Sequence, residues 1–155
     1  MKKYLVSCIA VLTFGLMFAW LALAFSVVNF GMGASVTTGY DILKVGTAEG
    51  AQGAYNARYV FMLLSLIFGG LSVLGACGAA LQAAGKLKVK FNLNMVVVCL
   101  LCLTALMAVV ATICGLCITI PEEIKSLVKI GAGVIIFPLW TVLGALAAFL
   151  FRKAK

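Results

Sequence analysis

The sequence predicts an all-α fold: an integral membrane four-helix bundle with N and C termini cytoplasmic. Three observations carry this expectation. The 155-residue chain is 65% hydrophobic, with a mean hydropathy of +1.24. Soluble domains run about 45–50% apolar, so this chain lacks the polar residues to cover a core with a wetted surface. Apolar runs over 4–28, 59–84, 91–120 and 130–151 each reach the roughly 20 residues that a helix needs to cross a hydrocarbon layer of about 30 Å. The third observation is where the charges fall.

Lysine and arginine number 12 and acids 4, for a formal charge of +8. Lys2 and Lys3, then Lys86, Lys88 and Lys90, then Arg152, Lys153 and Lys155 form three clusters without an acid. The two other connections hold Asp41, Lys44, Glu49 and Arg58, and then Glu122, Glu123, Lys125 and Lys129, and each group sums to zero. The net charge therefore falls on one side of a four-span threading. By the positive-inside rule that side is the cytoplasm. The turn at 85–90 is too short for anything but a tight link between antiparallel helices. Lys86, Lys88, Lys90, Arg152 and Lys153 are then placed to meet lipid headgroups. The same clusters explain the basic pI without nucleic acid.

The first span follows Met1, Lys2 and Lys3, and Ala22-Leu23-Ala24 offers a signal-peptidase pattern. The apolar run continues to Val28, beyond the usual 7–15 residues of a signal core, so an uncleaved span over 4–28 is expected. Leu5 to Cys8 has the form of a lipoprotein box, but too few residues precede Cys8 to make the required apolar segment.

The outer loop at 30–57 is punctuated by Gly31, Gly33, Gly39, Gly46, Gly50 and Gly53. Val36, Thr37 and Thr38 have strand character, but one short strand needs partners. Residues 40–43 read as a helical turn lying on the outer leaflet.

The second span, 59–84, carries a stripe of small side chains: Ser65, Gly69, Ser72, Ala76, Ala79 and Ala83. Helices in lipid associate by close contact of such faces, so this one should press on another helix, within the chain or in a neighbour. Asn92 or Asn94 can cap the third span, 91–120, which has its own track of Ala105, Ala108, Ala111 and Gly115. Pro121, Glu122 and Glu123 begin a short helix in the second outer loop, 121–129, with acids at the positive end of its dipole. Ile124, Leu127 and Val128 would share its apolar face. Pro138 should kink the fourth span, 130–151, and Gly144 and Ala148 give it a small pair.

The chain has no histidine, and none of its acids falls within a span. An ionisable group at bilayer depth is the usual mark of an ion path. Its absence separates the chain from the V-type proteolipid subunits and small multidrug exporters that its size and span number resemble. Thr13, Ser65, Ser72, Thr104 and Thr112 are too few to line a pore in one copy.

Cysteines supply the sharper alternative. Cys99 with Cys102 and Cys114 with Cys117 have C-x-x-C spacing. On one helix the pairs lie roughly 18 Å apart, too far for one zinc ion. Cys114 and Cys117, near the outer end of the third span, are redox candidates. Here the chain resembles four-span thiol oxidoreductases of the vitamin K epoxide reductase and DsbB type. It lacks the outer-loop cysteine pair of those families.

In layout the chain is similar to tetraspan proteins of the claudin and peripheral myelin protein kind: termini inside, a long first outer loop and a short second one. The claudin signature of tryptophans and a cysteine pair in the first outer loop is absent, and Trp20 and Trp140 fall within spans.

The leading expectation is a non-enzymatic protein of the plasma membrane, with a composition that fits a bacterial inner membrane. It would act through helix packing, as a homo-oligomer or as a small accessory subunit of a membrane complex. Its partners would be the bilayer and other membrane subunits, with no cofactor and no metal. The alternatives are a thiol-disulfide oxidoreductase using Cys114 and Cys117, and an oligomeric channel or transporter subunit.

Overall fold

A computed structural model describes residues 4–30, 33–47 and 52–152. Lys2, Lys3, Gly31, Glu49, Gly50, Lys153 and Lys155 lie outside the described residues. Four helices form the body: α1 (Leu5–Leu21), α3 (Gly53–Ala83), α4 (Leu93–Leu116) and α6 (Gly133–Phe151). The short helices α2 (Gly39–Val45) and α5 (Glu122–Lys125) lie between them. Three strands, β1 (Ala24–Phe30), β2 (Gly33–Thr38) and β3 (Val128–Ile130), form one antiparallel sheet in the order β2-β1-β3.

The chain is a membrane-embedded protein. α3, α4 and α6 are each long and apolar enough to cross a bilayer. α1 has 17 residues and is equally apolar. At 1.5 Å per residue it is about 25 Å long. Neighbours around the bundle run α1, α3, α4, α6 and back to α1. Successive helices are antiparallel, so the sheet caps one end and the basic turn at 85–90 closes the other.

The apolar run predicts a helix through residue 28, and the structure differs there. α1 stops at Leu21, and β1 begins at Ala24. Its two polar residues, Ser26 and Asn29, stand three apart, so it carries no strand alternation. Its Phe25, Val27, Val28 and Phe30 are aromatic or β-branched and suit extended backbone. Pairing on both sides by β2 and β3 satisfies backbone groups that helix bonds would otherwise serve. Val36, Thr37 and Thr38 gain in β2 the partners a lone strand lacks. Residues 40–43 do form a helix, α2. Thr38 caps it: its hydroxyl accepts from the Asp41 amide and the Asp41 carboxylate takes the Thr38 amide at 2.7 Å. The amide and then the hydroxyl of Thr38 hold the Asp41 carboxyl below the usual carboxylate range. Tyr40 donates to the Phe18 carbonyl at 2.8 Å, and Ile42 is buried among Leu21 and Met62. α2 thus plugs the sheet end. α5 stops at Lys125, so Val128 lies in β3 rather than on a shared helical face with Ile124 and Leu127.

The small-residue stripe of α3 is consumed inside the chain. Ser65, Gly69, Ser72, Ala76 and Ala79 are buried, and Ala83 is half-buried at the helix end. The Ser65 hydroxyl donates to the Thr104 carbonyl of α4 at 3.1 Å, and Ser7 of α1 donates to the Ala76 carbonyl at 3.0 Å. One core cluster, with Ala76, Ala79, Val97 and Leu101, fills the turn end. Another, with Met17, Met62, Ala108 and Phe137, fills the sheet end. Buried hydroxyls of Thr13, Ser65, Ser72, Thr104 and Thr141 lie between them, and each donates to a backbone carbonyl. Hydroxyls satisfied in this way belong to the packing.

The chain's only two glutamines bind the ends of the α3–α4 pair. At the turn end α3 closes in a Schellman motif. Gly85 sits at φ 74°, its amide bonds the Gln82 carbonyl, and the Lys86 amide bonds that of Leu81. The Gln82 side chain then donates to the Val89 and Phe91 carbonyls at 3.2 and 2.8 Å and accepts the Leu93 amide at 3.1 Å. Gln82→Leu deletes three bonds to backbone and should cost about 1–3 kcal/mol. Thermal unfolding in mild detergent measures this, and an unchanged midpoint would refute the clamp. At the sheet end Gln52 and the Thr119 backbone exchange two bonds of 2.8 Å.

Candidate functional site

The feature that stands apart from packing is a cleft at the sheet end. Beside it the link from β3 to α6 approaches β1 more closely than any side chain at Gly131 would allow. The Gly131 amide bonds the Phe25 carbonyl at 3.0 Å, and a Cβ there would run into the Ala24 carbonyl. The register of β1 against β2 slips between Ala24 and Ser26, which leaves Phe25 as the extra residue of a bulge. The bulge turns the Phe25 ring inward against Phe137, at 6.2 Å between centroids.

Over that ring lies Arg58, with its guanidinium carbon 5.1 Å from the centroid. The sequence places Arg58 in the first outer loop, but α3 begins at Gly53, so this charge sits on a helix beside the last turn of α4. A Cβ at Gly115 would lie 3.0 Å from its Nε. Arg58 is half-buried. Among the described residues no carboxylate pairs with it, and the one ion pair, Lys125 with Glu122 at 2.9 Å, is elsewhere. Arg58, Lys129 of β3 and Ser26 of β1 line a cleft of about 210 Å³ whose remaining wall is mainly apolar. Among the described residues two cations and no acid line it.

From the cleft an apolar groove of about 520 Å³ descends between α4 and α6. Leu116, Ile130 and Val134 border both. Pro138 lies on its wall, inside α6. Proline has no amide to give the carbonyl one turn earlier. That carbonyl belongs to Val134, and the Thr112 hydroxyl reaches it at 3.5 Å.

The redox candidates lie near this end without joining the cleft wall. Cys114 is half-buried in the last turn of α4, and Cys117 follows the helix, exposed. All six cysteines are free thiols, and among the described residues no cluster of metal-ligating side chains forms. Lys86, Lys88 and Lys90 are exposed on the turn, and Arg152 stacks on Phe149 at 3.7 Å. Sequence reasoning named none of Arg58, Phe25 and Ser26 as site residues. The available signal was Arg58 itself, a lone cation one residue before an apolar run. No family model, curated protein or solved structure matches this chain.

Proposed function

We propose that this chain is a non-enzymatic integral membrane protein that works by assembly, with copies of itself or as a small accessory subunit of a membrane complex. In this reading all four bundle helices cross a plasma membrane, bacterial by composition. The basic turn and both termini face the cytoplasm and the sheet faces out. α1 packs lengthwise against two helices of sufficient span, which supports its crossing with them. The tetraspan layout of the claudin kind is part of the same reading.

The observation that carries assembly is the outer edge of β2, which pairs with no other strand among the described residues. It is an outer strand of the sheet, and Gly33, Ala34, Ser35 and Val36 are exposed along it. Val36 is 49% accessible. An edge strand offers unpaired backbone groups to another chain. The small-residue stripe, by contrast, is occupied within the bundle, so partners would meet the sheet edge rather than that face. Native mass spectrometry from lipid nanodiscs should find an oligomer or a retained partner. Val36→Lys, which charges the edge, should return a folded monomer. An unaltered chain that stays monomeric at every concentration would refute the proposal.

A further inference from the structure

We propose that the Arg58 cleft and the groove below it together hold one anionic phospholipid from the leaflet at the sheet end. Its phosphate would sit against Arg58, Lys129 and Ser26, and one acyl chain would follow the groove.

Among the described residues Arg58 has no counterion. A half-buried guanidinium is costly unless acceptors take its hydrogen bonds, and an anion is the strongest of these. The Phe25 ring meets its face at 5.1 Å but accepts none of its five N–H bonds. No described carboxylate does so either. A second cation, Lys129, borders the same cleft. Two cations and a hydroxyl around a small space select a phosphate-like group.

The groove chooses among the possible phosphates. Its wall is apolar from Val109 to Val142, and its 520 Å³ lies within the roughly 300–1,000 Å³ of small-molecule sites. Free phosphate would use the cleft and leave the groove unfilled. A neutral hydrocarbon would use the groove and leave Arg58 unmatched. An amphiphile with its charge at one end meets both, and the bilayer supplies such molecules at the right depth. Ile130 and Val134 border both spaces, so headgroup and chain sites are continuous.

The test uses the full chain, delipidated in mild detergent and followed by native mass spectrometry. Phosphatidylglycerol, phosphatidylcholine and inorganic phosphate are titrated in separate arms. Phosphatidylglycerol should bind about tenfold more tightly than phosphatidylcholine, the scale of one charge-assisted contact. Arg58→Gln should remove that preference. Lys129→Gln, at an exposed position, should weaken it and guards against an Arg58 variant that fails to fold. Val109→Phe, which fills the groove, should weaken phosphatidylglycerol binding while both cations remain. Equal binding of the two lipids would overturn the proposal. So would inorganic phosphate displacing phosphatidylglycerol at equal concentration, or a preference that survives both charge substitutions.

Discussion

Gly144→Leu should lower the free energy of unfolding by about 3 kcal/mol, the upper end for forcing extra methylenes into a packed interior. Gly144 lies where α6 crosses α1, and a Cβ there would land on the Thr13 side chain, 3.0 Å from its own Cβ. Thr13 cannot swing aside freely. It is 2% exposed, and its hydroxyl is committed to the Ile9 carbonyl at 2.7 Å. The Thr13 carbonyl also takes the Trp140 indole N–H at 3.1 Å, which fixes the two helices one turn away. Separating the backbones would strain that bond and the Trp20–Trp140 contact at 6.2 Å. Unfolding midpoints in mild detergent give the loss. Gly144→Ala and Thr13→Ala, each alone and then together, close a double-mutant cycle. The pair should recover part of what Gly144→Ala loses. Strict additivity would show that the clash with Thr13 is not the cause.

Gly131→Val should be comparably damaging, for a different reason. Here the obstacle is backbone: the Ala24 carbonyl, with the Phe25 nitrogen 3.0 Å from the added Cβ. A side chain can change rotamer, whereas this segment is held in register by β2 on one edge and β3 on the other. Relief requires β1 to leave β3 or α6 to lose its first turn. We expect a loss of about 3 kcal/mol, and faster amide exchange over 128–136 than over 93–116. Gly33→Ala is the control, since a Cβ there meets nothing within 4 Å. Equal effects at the two glycines would refute the close-approach account.

The bundle was legible because its signals are additive. Run length gave the helices, and the spacing of Ser65, Gly69, Ser72, Ala76 and Ala79 gave the packed face. The sheet was not legible, because its strands borrow hydrophobicity from their neighbours. Phe25 to Val28 continues the apolar run of α1 with only Ser26 polar, and Val128 to Ile130 is too short for any period to register. What sets β1 apart is long-range: its partners lie at 33–38 and 128–130. The cleft was hidden for a related reason. Arg58 reads as a loop charge until α3 is seen to start at Gly53 and to carry it against the end of α4. The two glutamines are uninformative by residue type, and only the positions of Thr119, Val89 and Leu93 show what they bind.

Strands from both connections on the sheet side, together with Gln52 and Thr119, fasten all four helices at that end. At the opposite end the chain joins α3 to α4, while among the described residues α1 and α6 meet there through packing and no connecting segment. Lateral tension in a bilayer would therefore not dilate this molecule evenly. It would yield first at the turn end, where, among the described residues, packing and the Ser7–Ala76 bond hold α1 and α6 to the α3–α4 hairpin.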